Sequence, residues 1–225
     1  MRQLALDIGL AAAPDFDTFI ALGNERAVQV LRDLQPGHAP VYLWGPSGSG
    51  KSHLLRALQA RLQRDGQRVA WMDASTDTAF AMPEDALWLL MDQAEGWTPA
   101  QQQAAFSAFV QITSRGGVVA AAGRLPPVDL PIRDDIRTRL GWGLVLSLWP
   151  LGESTLRQAL QDEAQRRGLR LGDEVLDYVL RRLARDLKSL TGLLDRLDRY
   201  ALQVQRPITV PLLRRMLDEE QNPTP

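Results

Sequence analysis

The residue types with the clearest chemical potential form the segment Gly45-Pro46-Ser47-Gly48-Ser49-Gly50-Lys51-Ser52. It matches the pattern G-x-x-x-x-G-K-[ST], in which glycines let successive backbone N–H groups turn onto phosphate oxygens. An apolar run at 41–44 precedes it and leucines at helical spacing follow it, as a strand–loop–helix unit requires. We therefore predict a nucleotide-binding loop, in which Lys51 reaches the β- and γ-phosphates and Ser52 holds Mg²⁺. The whole segment and His53 after it are candidate nucleotide-binding residues, and a glycine-rich turn without a ligand is the alternative.

A second candidate is Asp92, which ends the apolar run 86–91. At the end of a strand beside the phosphate loop, its carboxylate would share the Mg²⁺ with Ser52. The alternative is an aspartate that merely ends a strand at its turn. Gln93 follows, where many ATPases of this layout place a second carboxylate to polarise the attacking water, and glutamine cannot accept a proton. Glu95 could substitute for it, although an ordinary surface acid is the simpler interpretation.

The apolar run 118–122 also indicates a weak hydrolytic site. It ends in Gly123 and offers no polar side chain to orient a water at the γ-phosphate. We therefore expect nucleotide to be held without rapid hydrolysis.

Two further cations are candidates for chemistry. Arg139 lies just before a predicted strand, in the segment 137–143 (Arg-Thr-Arg-Leu-Gly-Trp-Gly), from which its guanidinium could point into a neighbouring molecule. Lys188 is notable because the 26 Lys+Arg residues include only two lysines, the other being Lys51. For each of them, a charge on a solvated helix face is the alternative.

Apolar runs alternate with helical segments up to residue 148, and the pattern predicts a doubly wound α/β fold with a parallel sheet flanked by helices. The predicted strands are 41–44, 69–72, 86–91, 118–122 and 144–148. The predicted helices among them lie near 25–34, after the phosphate loop, and near 100–114 and 133–140. After Pro150 the chain is predicted to be helical, near 155–167, 174–185, 187–205 and 210–220. We expect a leader at 1–13, a nucleotide-binding domain at 14–150 and a small helical lid domain at 151–225.

The composition narrows the class of protein. The chain has 225 residues, 45% of them hydrophobic, and a formal net charge of −1, so no overall basic field would draw it to nucleic acid or a membrane surface. Cysteine is absent, which excludes disulfides and cysteine metal sites. No apolar run is long enough to span a bilayer, and Asp7 interrupts the N-terminal apolar stretch. We expect a cytoplasmic protein with no direct sequence-specific DNA binding.

Taken together, these motifs resemble the AAA+ ATPases of the bacterial initiator DnaA group, and within it the Hda-type regulatory inactivators of DnaA. The resemblance covers nearly the full chain. Its most particular parts are the segment 139–143 (Arg-Leu-Gly-Trp-Gly) and the Leu-Asp-Arg rhythm of 183–199, whereas the phosphate loop alone is widely shared. It also includes 3–6 (Gln-Leu-Ala-Leu), 16–19 (Phe-Asp-Thr-Phe), 42–55 and 123–126 (Gly-Arg-Leu-Pro).

The resemblance implies a role for several of these residues. Arg139 would be an arginine finger donated to a partner's nucleotide, and Lys188 would be the sensor 2 residue that reaches the bound nucleotide from the lid. Lysine stands here where that family has arginine, so Lys188 offers a point charge rather than a bidentate fork. The segment 16–24 would flank the adenine. The N-terminal motif would bind the replication sliding clamp, through Gln3, Leu4 and Leu6.

The function that the resemblance implies is regulation of replication initiation. An ADP- or ATP-bound protein with Mg²⁺ would act with the DNA-loaded clamp, the β subunit of DNA polymerase III, to stimulate ATP hydrolysis by DnaA and so prevent re-initiation. A homo-oligomer is also possible. Because the sequence stops near 217–220 without a helix-turn-helix domain, we expect that it is not itself an initiator. The alternatives are a helicase-loader-like ATPase, for which no basic and aromatic groove is evident, and a small-molecule P-loop kinase.

Overall fold

A computed structural model of the chain describes residues 14–76, 82–182 and 187–221. Residues 14–150 belong to one compact unit and residues 151–221 to another. The predicted leader at 1–13 lies outside the described residues.

The first unit is built on a parallel sheet of short, apolar strands. Within the described ranges the sheet has five strands, in the order β2-β3-β4-β1-β5. Each strand is almost continuously apolar because helices cover both faces of a parallel sheet. The strands are β1 (Val41–Trp44), β2 (Val69–Met72), β3 (Trp88–Met91), β4 (Val118–Gly123) and β5 (Leu144–Ser147).

Four helices of this unit cover the two faces of the sheet. They are α1 (Glu25–Asp33), α2 (Lys51–Arg64), α3 (Pro99–Ser114) and α4 (Asp134–Leu140). One face packs against α1 and α2 and the opposite face against α3 and α4, each through a continuous cluster of buried side chains. A capping box formed by Thr98 and Gln101 fixes the start of α3. Short 3₁₀ turns at Ala94–Gly96 and Pro127–Asp129 complete the connections.

The second unit is helical. Its described helices are α5 (Glu153–Arg166), α6 (Asp173–Arg182), α7 (Leu187–Val204) and α8 (Val210–Gln221). Their apolar faces meet in one core, which includes Leu160, Leu176, Leu197 and Leu213, all fully buried.

The predicted parallel sheet and helical C-terminal region are confirmed, and the element ends that the structure describes shift by a few residues at most. Strand β3, for example, begins at Trp88 rather than at residue 86. The predicted end of the helix at 174–185 lies outside the described residues. None of the described helices is both long and apolar enough to cross a membrane.

Candidate nucleotide site and arginine element

The phosphate loop joins the end of β1 to the start of α2, and Gly50 makes the last turn into the helix. Its backbone is left-handed, with φ 94° and ψ 8°. A Cβ at this position would lie 2.4 Å from Cε2 of Phe19, so the ring of Phe19 packs directly on the backbone of the loop. Glycine meets both constraints, the positive φ and the close approach.

Lys51 begins α2 and folds its ammonium group back into the loop. Its Nζ donates to the carbonyl oxygens of Gly45, at 2.7 Å, and Pro46, at 2.8 Å, and to Oγ of Ser49, at 3.3 Å. Burial lowers the pKa of Lys51, and the negative charges of Glu95 and Asp92 oppose that shift. The loop thus holds a largely desolvated cation whose present partners are neutral oxygens, an environment that favours a bound anion.

The backbone N–H groups that open α2 add to this preference. The first N–H groups of an α-helix have no partner within the helix and carry its positive dipole end. His53, in the first turn, contacts the preceding segment rather than the loop: its Nε2 donates to the carbonyl oxygen of Asp15 at 3.0 Å, and its ring lies 5.6 Å from that of Phe19. His53 therefore fastens residues 15–19 onto α2, and these residues lie beside the loop.

Asp92 stands at the carboxyl end of β3, where the sequence places it, and only 4% of its surface is exposed. Burial raises the pKa of Asp92. Hydrogen bonds from the Ser52 hydroxyl and the Gln93 N–H, together with the charge of Lys51, partly offset this rise in the pKa. The hydrogen bond between Ser52 and Asp92 brings a hydroxyl and a carboxylate together at the start of α2. Oxygen donors of this kind suit Mg²⁺, so the pair fits the predicted metal contact.

Gln93 adopts a left-handed conformation, with φ 54°, and its side chain is exposed. The chain then turns through Ala94–Gly96, and this turn brings Glu95 back to the sheet edge. Oε2 of Glu95 accepts the backbone N–H of Arg124 at 3.0 Å. The expectation of an ordinary surface acid is wrong, because Glu95 is half-buried and its charge acts on both Lys51 and Asp92.

The end of β4 explains why Glu95 fits there. A Cβ on Gly123 would lie 3.2 Å from Oε2 of Glu95 and 2.1 Å from the hydroxyl oxygen of Tyr42. That hydroxyl donates to the carbonyl oxygen of Leu125 at 3.0 Å, and burial raises the pKa of Tyr42. The space in which a polar side chain of β4 would face a γ-phosphate is therefore filled by two groups from other strands and turns.

Arg139 lies in the last turn of α4, near the amino-terminal ends of the strands. The chain enters β5 shortly after it, where Leu144 pairs with Val41 and its N–H donates to the carbonyl oxygen of Pro40 at 2.8 Å. Strand β1 then runs from this end of the sheet to the phosphate loop, a distance of about 13 Å for four residues at ~3.3 Å each. Arg139 thus lies near the amino-terminal ends of the strands, whereas the chain's own phosphate loop lies at their carboxyl-terminal ends.

The remaining predicted site residues belong to the helical unit or lie outside the described residues. Lys188 lies in the first turn of α7, in the helical unit. Gln3, Leu4 and Leu6 lie outside the described residues.

Comparison with known proteins shows the fold and the likeness of the C-terminal region. Residues 153–217 match the family model described as "Hda, lid domain". Domain III of the replication initiation protein DnaA from Thermotoga maritima has the same fold, with a TM-score of 0.73 and 19% sequence identity over 97% of this chain and 98% of that one. The chain thus has the AAA+ fold of DnaA domain III, and its C-terminal helical region matches the Hda lid domain. Its predicted fold class, an AAA+ domain followed by a helical lid, is thereby confirmed.

Other solved structures share the AAA+ fold at lower similarity. AMPPCP-bound DnaA from Aquifex aeolicus superimposes with a TM-score of 0.67 and 22% identity, over 82% of this chain and 64% of that one. A mutant RuvB from Thermotoga maritima gives a TM-score of 0.63 with 14% identity, over 91% of this chain and 71% of that one. At these identities the likeness shows the fold alone.

Several residues approach the candidate site from distant parts of the chain without a signal in their local sequence. Tyr42 reads as one more apolar strand residue, yet its hydroxyl reaches the end of β4. Phe106 and Phe109 read as core residues of α3, yet both contact the guanidinium of Arg139. From the sequence, Glu95 is a candidate only as a substitute for a second carboxylate, and its contact with the end of β4 is not predicted.

Proposed function

We propose that this protein is an Hda-type, nucleotide-bound regulator of replication initiation that stimulates hydrolysis of ATP bound to DnaA. It acts with the DNA-loaded sliding clamp and so prevents re-initiation. The observation that carries the proposal is the separation of Arg139 from the chain's own phosphate loop: the helix of Arg139 leads into the start of β5, which pairs with the start of β1, whereas the loop follows the end of β1.

The chain's own hydrolytic site is poorly equipped. Gln93 cannot accept a proton from an attacking water, and Gly123 presents no side chain to it. A nucleotide held at such a site serves mainly to stabilise and shape the protein. Stimulation must then come from a group that this chain supplies to another molecule.

Arginine suits that role. Its charge is permanent, and its planar fork can donate to two oxygens of a transferring phosphoryl group at once. Arginine fingers supplied in trans typically raise rates by about 10³–10⁵. Arg139 would place its fork against the γ-phosphate of the ATP on DnaA, where negative charge spreads over the equatorial oxygens.

The bound ligand of the chain itself is proposed to be ADP or ATP. The loop residues 45–52 would surround its phosphates, and Ser52 and Asp92 would hold Mg²⁺, which would neutralise phosphate charge. A DnaA from Aquifex aeolicus with the same fold carries the adenine nucleotide analogue AMPPCP, which supports this choice of ligand. Lys188 is proposed to supply a further positive charge from the lid.

The sliding clamp is proposed as the second partner on the strength of the sequence motif at 3–6. An N-terminal extended segment with Gln3 for hydrogen bonds and Leu6 for an apolar pocket would engage a groove without distorting the folded units.

The proposal is tested by following conversion of DnaA-bound ATP to ADP in the presence of clamp-loaded DNA. Arg139→Ala should bind ADP and clamp like the wild type and lose most of the stimulation. Arg139→Lys should rescue little, because an ammonium group cannot reproduce the fork. Arg137→Ala is the matched control, since Arg137 lies on the same helix but is paired with Asp134. Stimulation by Arg139→Ala at the wild-type level would refute the mechanism.

A further inference from the structure

Three aromatic rings surround the guanidinium of Arg139. Its Cζ lies 5.0 Å from the ring centroid of Phe106, 5.8 Å from that of Phe109 and 4.8 Å from that of Trp142. All three distances are within the ~6 Å at which a cation is attracted to the face of an aromatic ring. We refer to Phe106, Phe109 and Trp142 as the aromatic cradle.

The other two arginines at α4 are held differently. Arg133 is paired with Asp135 and Arg137 with Asp134. Among the residues that the structure describes, no carboxylate or other hydrogen-bond acceptor engages the side chain of Arg139. The aromatic cradle is therefore what orders this side chain.

The distinction matters because of where the guanidinium donors lie. The five N–H bonds of arginine lie in the plane of the group, whereas attraction to rings uses its delocalised charge. An ion pair would occupy donors of the fork, as it does in Arg137. The aromatic cradle restrains Arg139 and leaves its donors for oxygens of another molecule.

The aromatic cradle is fixed at one end and open at the other. Phe109, on α3, is 1% exposed and belongs to the buried cluster between α3 and the sheet. Phe106 is half-buried, and Trp142 is 63% exposed. A groove of about 380 Å³ runs along this side of α4, and Phe106, Arg139 and Trp142 line it. An oxygen-bearing group from outside can therefore approach the half-buried arginine past Trp142.

We propose that Phe106 and Trp142 are positioning residues for Arg139, which hold the finger in place before the partner arrives. This inference rests on the proposed function. A long side chain that is already restrained loses less conformational freedom when it meets the phosphoryl group. The rings should therefore raise the maximal stimulated rate more than they raise affinity for the partner.

The test removes each ring while retaining apolar volume. Phe106→Leu and Trp142→Leu should each lower the maximal rate of DnaA-bound ATP hydrolysis by about tenfold, a size typical of modest misplacement of a reacting group. For Phe106→Leu the half-saturating concentration should change by less than about threefold, because the ring is half-buried and leucine keeps most of its apolar contact area. Trp142→Phe, which keeps a ring, should recover most of the rate. Val110→Ala, an exposed apolar change on the same helix as Phe106, is the control.

A second measurement reads the contact without the partner. Ring currents should displace the Nε–Hε NMR signal of Arg139, assigned by its loss in Arg139→Lys, from the position of the ion-paired Arg137. The signal should move back in Phe106→Leu and in Trp142→Leu. Wild-type maximal rates in both leucine variants would overturn the positioning role. No stimulation by the wild-type protein would instead overturn the proposed function, so the two failures are distinguishable.

Discussion

Asn24 holds the backbone of Trp149 with both polar atoms of its side chain. Its Nδ2 donates to the Trp149 carbonyl oxygen at 2.9 Å, and its Oδ1 accepts the Trp149 N–H at 2.9 Å. Asn24 precedes α1 and is 3% exposed, yet its side chain makes no capping bond to that helix. The pair joins the segment before α1 to the end of β5, next to the phosphate loop.

We predict that Asn24→Ala destabilises the protein by about 1–3 kcal/mol, because two part-buried backbone groups of Trp149 lose their partners. Urea unfolding followed by circular dichroism measures the change. Gln29→Ala removes an exposed hydrogen bond between Gln29 and Asp33 within α1, and it should lower the free energy of unfolding by less than ~0.5 kcal/mol. Equal effects of the two substitutions would contradict the importance of the Asn24–Trp149 pair.

Nucleotide binding should stabilise the fold through the phosphate loop. ADP at about a hundred times its dissociation constant should add roughly 2.7 kcal/mol to the free energy of unfolding. Lys51→Ala should remove most of this gain, since the buried ammonium group is the main counter-charge in the loop. Thermal melts with and without ADP test this, with Arg64→Ala, an exposed arginine on α2, as the control. An unchanged melting temperature of the wild-type protein in the presence of ADP would disprove nucleotide binding.

Asp92→Asn should have opposite effects on the free and the liganded protein. Burial raises the pKa of Asp92 in the folded state, so this group lowers stability as the pH rises from its unfolded pKa through its folded pKa. The amide carries no charge, so the free variant should melt higher than the wild type above that window and show a flatter pH profile. Any Mg²⁺-dependent part of the nucleotide stabilisation should vanish, because an amide is a weaker Mg²⁺ ligand.

Asp85→Asn is the matched control for this substitution, because Asp85 is an exposed acid paired with Arg68. It should leave both the pH profile and the Mg²⁺ response unchanged. A lower melting temperature for free Asp92→Asn at neutral pH would show that the carboxylate stabilises the empty site.

Clamp binding should depend on the N-terminal motif alone. Gln3→Ala combined with Leu6→Ala should abolish retention on purified clamp and leave the affinity for ADP unchanged, because the motif is separate in sequence from the phosphate loop. Lys51→Ala provides the reverse control, with lost ADP binding and normal retention. Undiminished retention of the double variant would assign another role to the leader.

Local patterns sufficed to predict the sheet and the phosphate loop. β1 and β3 are continuous apolar runs, and the loop motif is contiguous in sequence, so no long-range information was needed. Contacts between distant segments were beyond the same reasoning. Asn24 and Trp149 are separated by 125 positions, and neither side chain type indicates the other. The turn of Glu95 toward the end of β4 depends on the left-handed backbone of Gln93, a conformation that glutamine rarely adopts.

The crowded end of β4 also limits how this protein can evolve. At Gly123, any side chain would collide with the hydroxyl of Tyr42, so a polar residue cannot be introduced there by one substitution without displacing its neighbours. Tyr42 would first have to be replaced by a smaller residue, and that change alone would leave unfilled space near the carboxylate of Glu95. The route therefore passes through a less well packed intermediate. A polar side chain at the end of β4 is therefore accessible to this protein only through coupled substitutions at Gly123 and Tyr42.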